Sequence, residues 1–152
     1  MARFVYRMQS VLNIKQKTEG QIKMEFAAAQ AELNRQLDIL DEYIRRKEGY
    51  LKEAEELRNA ASLKLQDILD NQYATAQMDV MIASQAKVVQ KQEAAVDRVR
   101  VKLTRAIQER KMQETLRDRA FAEYIEEEKQ EEAKENDQRT SFTYGQKQRG
   151  EE

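Results

Sequence analysis

Apolar residues recur along most of this chain at alternating intervals of three and four positions. One repeat runs from Val5 to Ile68, and a second runs from Met78 to Arg110 and then more loosely to Ile125. This spacing lines one face of an α-helix with apolar side chains and is typical of coiled coils. The pattern predicts an all-α protein with two long helices, helix one over about residues 4–69 and helix two over about residues 76–135.

The segment between the two repeats, residues 70–75, holds a cluster of short polar residues with the sequence Asp-Asn-Gln-Tyr-Ala-Thr. Asn and Asp favour turns, and Asp or Thr favours the start of a helix, so we expect the chain to reverse there. A helix of this length cannot bury its apolar stripe alone. Residues 1–139 are therefore predicted to form a long antiparallel coiled-coil hairpin, monomeric when free, with Leu33 near Met112 and Ile22 near Phe121.

The distribution of charge supports antiparallel pairing. The charged residues within 1–23 are mostly basic, and those within 126–137 are mostly acidic. A hairpin with its turn at residues 70–75 brings these segments together, whereas a parallel homodimer stacks like charges. Residues 140–152 lack the repeat and have few apolar side chains, and they are expected to form a disordered tail.

Composition excludes several classes of function. The chain has no histidine, cysteine, proline or tryptophan and a net charge of -1. Catalytic carboxylates need an enclosed pocket, which a two-helix hairpin does not offer, so no enzyme activity, metal or cofactor is expected. A balanced net charge disfavours nucleic-acid binding. No apolar run is long enough to enter a membrane, and the protein is expected to be cytoplasmic.

An apolar cluster at the start of helix one suggests a docking site. In the predicted register its residues face the polar segment around residues 132–140 and have no apolar partner. Exposed apolar clusters of this kind mark sites that another protein covers. The candidate docking residues at this free end are Phe4, Tyr6, Met8, Val11 and Leu12.

The chain has a distinctive motif near each end. The first is Phe4-x-Tyr6-x-Met8-Gln9-x-Val11-Leu12, and the second is Glu109-Arg110-Lys111-x-x-Glu114-x-Leu116-Arg117-x-Arg119, followed by Tyr124, the run Glu126–Glu128, Glu132 and Asp137. In order and spacing these motifs resemble those of a known family, the bacterial flagellar export protein FliJ. The resemblance covers about residues 3–139.

The resemblance implies a small component of the flagellar type III export apparatus, cytoplasmic and peripherally associated with the cell membrane at the flagellar base. Its ends would enter the export ATPase ring and promote the assembly and activity of that ring. Helix two would contact the cytoplasmic domain of the export gate membrane protein and bind export chaperones. The gate-contact pattern falls on Met81, Gln85, Val88 and Gln92, where Gln85 replaces a residue that is more often apolar.

Two other functions also fit the pattern: a self-associating structural coiled coil, and a stalk-like subunit of a rotary ATPase. The first predicts a parallel dimer. The second usually has a globular domain between its helices, and this chain has no such insertion.

Overall fold

The computed structural model describes residues 3–150, and within them the chain forms two long α-helices and no strand. Helix α1 spans Gln9–Asn59 and helix α2 spans Leu65–Gly150. The two helices pack against each other in antiparallel order, since side-chain contacts join Lys15 to Glu109 and Gln36 to Gln85. The predicted all-α helical hairpin is confirmed.

The segment before α1, residues 3–8, is not helical, and we call it the strap. The backbone amide of Gln9 donates a hydrogen bond to the carbonyl oxygen of Tyr6 at 3.1 Å, and that of Leu12 donates to Met8 at 3.1 Å. Helix α1 therefore begins later than the predicted residue 4. It then continues through Gly20 and Gly49, so neither glycine ends the helix.

The predicted turn at residues 70–75 is wrong, because the chain reverses at residues 60–64. Asn71 is buried within α2, and its side-chain amide donates a hydrogen bond to the carbonyl oxygen of Tyr50 at 2.9 Å. The hydroxyl of Thr75 donates to the carbonyl oxygen of Asn71 at 2.9 Å. Short polar side chains often favour turns, but in α2 they form hydrogen bonds that are compatible with a helix.

The observed connection carries little sequence signal. Asn59, the last residue of α1, and Ser62 are of turn-forming types, but Ala60 and Ala61 between them favour helices, so the end of α1 is only weakly marked. Helix two consequently starts at Leu65 instead of residue 76, and it continues to Gly150 instead of ending near residue 135. The predicted disordered tail is not confirmed, since residues 140–150 are helical, while residues 1, 2, 151 and 152 lie outside the described residues.

By packing, the chain divides into two units, the first of which contains residues 20–105. Its core is formed by Leu33, Val89 and Val96, with Phe26 and other half-buried apolar side chains packed against them. The guanidinium of Arg100 lies 5.9 Å from the centre of the Phe26 ring, a favourable cation–π contact. This core is a narrow seam, as expected for two helices without a third layer.

Two amide side chains cross this seam. Gln92 donates a hydrogen bond to the carbonyl oxygen of Ala29 at 3.0 Å, and Gln85 donates to the carbonyl oxygen of Gln36 at 2.9 Å. A buried amide left without a partner destabilises a protein by about 1–3 kcal/mol. A different register of the two helices would break these hydrogen bonds and is therefore disfavoured.

The second unit contains residues 3–19 and 106–150, and we call it the free end. Its most buried side chain is Leu12, at 1% exposure. Glu19, 5% exposed, forms an ion pair with Arg110, and Arg110 also donates to Glu114 at 2.8 Å. The hydrogen bonds that Arg110 donates to these carboxylates, first to Glu114 and second to Glu19, raise the pKa of its guanidinium, which therefore stays charged.

The predicted register is wrong as well, because the connection lies about ten residues earlier than expected. Leu33 packs near Val89 and Val96, while Met112 is 63% exposed. Phe121, expected near Ile22, contacts Phe4. Lys15, expected beside the acidic run 126–137, pairs with Glu109 instead. Other ion pairs that cross between the helices are Glu19–Arg110, Glu25–Lys102 and Lys47–Asp79.

Insertions should separate the observed turn from the predicted one. Two residues, Gly-Ser, placed between Ser62 and Leu63 lengthen an exposed connection and should lower the melting temperature by only a few degrees, since loop length costs little. The same pair placed between Gln72 and Tyr73 turns the helix by about 200°, moves Asn71 and the rest of the seam out of phase, and should destabilise the protein by several kcal/mol.

Thermal unfolding followed by circular dichroism at 222 nm measures both variants. The opposite ranking, with the insertion after Ser62 the more damaging, would contradict the observed turn.

Candidate docking surfaces

The strap is held on helix α2 by an aromatic cluster. The ring of Phe4 lies 5.2 Å from that of Phe121 in an edge-to-face arrangement and 5.4 Å from that of Tyr124. The Phe121 and Tyr124 rings are one helical turn apart, with their centres separated by 6.4 Å. Phe4 thus contacts α2 from a non-helical segment. Because it lies outside the helix, its side chain can face α2 whatever its position in the three-and-four repeat.

The candidate docking residues of the free end do not form one exposed cluster. Leu12 is buried, Val11 is half-buried, and the hydroxyl of Tyr6 donates to the side-chain oxygen of Gln113 at 3.2 Å. Met8 remains 42% exposed. The expectation that the whole cluster lacks partners is therefore wrong for Phe4, Tyr6 and Leu12, because the earlier turn brings residues 113–124 beside them instead of residues 132–140.

A groove lies between the strap and α2 in the free end, with a volume of about 570 Å³. Both sides of the groove contribute apolar and charged side chains: Arg3, Phe4, Val5, Tyr6, Arg7 and Met8 from the strap, and Leu116, Ala120, Glu123, Tyr124 and Glu127 from α2. Val5, which is 77% exposed, and Met8 border this opening. The groove has the size of a ligand or side-chain pocket but is open to solvent, which suits a macromolecular partner.

Sequence patterning did not identify the α2 side of the groove. Leu116, Tyr124 and their apolar neighbours continue the second repeat only loosely. The sequence pattern alone therefore indicates that the apolar contact between the helices ends in this region. The available signal was the apolar residues themselves, which continue to Ile125, beyond the regular part of the repeat.

The four candidate gate-contact residues differ in their surroundings. Gln85 and Gln92 point toward α1 and donate the hydrogen bonds that cross the seam. Met81 is half-buried, and Val88 is 40% exposed. Val88 and, in part, Met81 are therefore accessible to a partner, whereas the two glutamine amides are already engaged within the hairpin.

Gln85 is linked to a charged group on α1 through a chain of hydrogen bonds. Its amide donates to the side-chain oxygen of Gln36 at 2.7 Å, and the Gln36 amide donates to the carboxylate of Glu32 at 2.8 Å. Arg35 donates to the same carboxylate at 2.7 and 3.0 Å. The hydrogen bond from Arg35 first, and that from Gln36 second, lower the pKa of Glu32 to about 2.

A second apolar stripe is exposed on α1 in the unit of residues 20–105. Leu37, Ile44 and Leu51 are spaced seven residues apart, lie on one side of the helix, and are 40%, 39% and 50% exposed. In the sequence these residues lie beside the three-and-four repeat and widen its apolar stripe. The structure shows that α2 covers them only in part, so this face also remains available for packing.

The described residues contain neither of two other kinds of site. No group of three or more acidic side chains within residues 3–150 is arranged to hold a metal ion. None of the helices in this range is both long and apolar enough to cross a membrane.

The fold and its exposed surfaces define an antiparallel two-helix protein that leaves apolar side chains of both helices available for contacts. A model of the family described as "Flagellar FliJ protein" matches residues 4–149. The chain belongs to this family, as the resemblance of its end motifs predicted, and it is thus related to flagellar protein export. No curated protein and no solved structure gives a significant match to the chain.

The Glu32 carboxyl should titrate near pH 2 instead of near its ordinary pKa of 4.5. Because the folded pKa lies below the unfolded one, this group contributes stability above about pH 4.5 and loses it as the pH falls toward 2. Carbon-13 NMR of the carboxyl measures the midpoint.

The substitution Arg35→Leu removes the main hydrogen bond and should move the midpoint toward 4.5. Arg46→Leu, which breaks the 2.9 Å pair with Glu42, is the matched control and should leave the midpoint of Glu32 unchanged. A wild-type midpoint near 4.5 would show that the bonded network is absent in solution.

Proposed function

We propose that this protein is a non-enzymatic component of the flagellar export apparatus that docks on the export ATPase ring with its free end. There it promotes the assembly and activity of the ring, and any effect on ATP hydrolysis arises in the active sites of the ring. The match to the flagellar family over residues 4–149 is the observation that carries this proposal.

The surface of the free end supports docking in a revised form. Leu12 is buried and Val11 is half-buried, and both stabilise the packing of α1 against α2. Met8 and Val5 are exposed at the rim of the groove and provide the apolar contact area. Phe4 and Tyr6 hold the strap in place through the aromatic cluster and the bond to Gln113, and they therefore act in docking mainly by positioning their neighbours.

Replacing the exposed apolar side chains should weaken docking without unfolding the protein. The double variant Val5→Glu with Met8→Glu introduces two charges at the rim, and we expect at least a tenfold loss of affinity for the assembled ring, equivalent to about 1.4 kcal/mol. Stimulation of ATP hydrolysis should fall in parallel. Binding to the ring and phosphate release measure the two effects.

The matched control is Ile14→Glu with Met24→Glu, which also replaces two exposed apolar residues, 63% and 74% exposed, on the same chain. It should bind and stimulate as the wild type does. Far-UV circular dichroism should show unchanged helicity for both variants. Equal affinity of the two double variants would contradict docking through the strap.

Contact with the export gate and with export chaperones is a further part of the proposal, and α2 is the helix assigned to it. Of the four residues suggested by the family pattern, Val88 and Met81 are the ones with accessible side chains. Gln85 and Gln92 would support this surface from within, by fixing α2 against α1. Through these contacts the protein would associate peripherally with the membrane at the flagellar base.

A charge at Val88 tests the gate contact. Val88→Glu should reduce binding to the cytoplasmic domain of the gate protein about tenfold or more while leaving ring docking intact. The control Val101→Glu changes another exposed valine of α2, 62% exposed, and should have no effect. Isothermal titration calorimetry measures both, and unchanged binding of Val88→Glu would remove this residue from the gate surface.

A further inference from the structure

The groove at the free end has charges of opposite sign on its two sides. Arg3 and Arg7 come from the strap, whereas Glu123 and Glu127 come from α2. The two carboxylates are four residues apart, and this spacing places them on the same face of the helix, one turn after another. Between the two sides lie apolar side chains, among them Leu116 and others of the lining.

All four charged side chains are exposed, and within residues 3–150 none of them forms an ion pair or a hydrogen bond with another side chain. Arginine and glutamate side chains on opposite sides of a groove can form ion pairs with each other across it. Here each side keeps its own sign, so the rim offers two separate rows of unengaged charge.

Among residues 3–150, the apolar part of the groove remains open to solvent. Val5 and Met8 follow the three-and-four repeat of the seam, yet they are 77% and 42% exposed because the strap is not helical. Burial of apolar surface is favourable by about 25 cal/mol per Å², so a partner that covers these side chains gains stability from contacts that the hairpin leaves unused.

We infer that the groove receives an amphipathic segment of an export ATPase subunit, with apolar side chains directed at the groove, basic side chains facing Glu123 and Glu127, and acidic side chains facing Arg3 and Arg7. This inference rests on the proposed function, and it adds the chemistry that the ring must present. Two rows of opposite charge accept such a segment in one orientation only, since the reversed segment meets like charges on both sides. The groove thus determines the direction of docking as well as its location.

Charge reversal on each side of the groove tests the inference in the full-length protein. The variants are Glu123→Lys with Glu127→Lys, and separately Arg3→Glu with Arg7→Glu. Each should weaken binding to the assembled ATPase ring at least tenfold, because the partner's charges then face like charges. Added salt should reduce the difference from the wild type, since screening weakens exposed charge contacts.

Two controls carry the same change of charge outside the groove. Glu131→Lys with Glu135→Lys has the same spacing on the same helix, and Arg98→Glu with Arg105→Glu alters exposed arginines of α2. Both controls should bind within about threefold of the wild type, as expected for charges away from a contact. Far-UV circular dichroism confirms that all four variants are folded.

The outcomes separate the inference from the proposed function. If the wild type does not bind the ring, the proposed function fails and the inference fails with it. If the wild type binds and the groove variants lose no more affinity than the controls, the inference alone is overturned. A change in self-association of the groove variants by light scattering, with unchanged ring affinity, would also overturn it, because the occupant would then be a second copy of the chain.

Discussion

The register between the two helices is the constraint on which the rest of this structure depends. A connection of five residues, 60–64, determines where α2 starts, and polar side chains in the seam then keep it aligned with α1. Asn71, Gln85 and Gln92 each donate a hydrogen bond to a backbone carbonyl oxygen of α1. A shift of α2 would leave these buried or half-buried amides without partners, whereas an apolar seam alone would tolerate several alignments.

The free end uses a buried ion pair for the same purpose. Glu19 and Arg110 occupy positions of the two repeats where apolar residues would be expected, and the structure brings them together. Such a pair adds little stability relative to apolar side chains of similar size, because both charges lose water on burial. The ion pair instead selects one register of the two helices, because any register that separated Glu19 from Arg110 would bury the Glu19 carboxylate without this guanidinium.

Sequence patterning was sufficient for the class of fold and insufficient for its register. The two repeats predicted two antiparallel helices, which the structure confirms, because the spacing of apolar residues directly reflects helical geometry. The position of the turn could not be found in the same way. The connection begins with two alanines, which favour helices, while Asn71 and Thr75 have turn-forming side chains that are satisfied inside α2.

The apolar groove of the free end was predictable in location but not in composition. The apolar residues at the start of the chain did indicate a special surface, yet the wrong register hid the partners of Phe4, Tyr6 and Leu12. The strap was unpredictable for a further reason. Its sequence continues the helical repeat through Val5 and Met8, whereas tertiary contacts favour the non-helical path. These are the contacts of Phe4 with the Phe121 and Tyr124 rings and the hydrogen bond of Tyr6 to Gln113.

The attachment of the strap has a consequence for how readily the free end can change. The side-chain contacts that join the strap to α2 include two ring contacts of Phe4 and one hydrogen bond of Tyr6, interactions that contribute about 1 kcal/mol each. Separating α1 from α2 would instead disrupt a seam that runs the length of α1. Residues 3–8 can therefore detach and reattach at small cost while the helices stay paired, and their release would expose an aromatic face of α2 without any loss of helix.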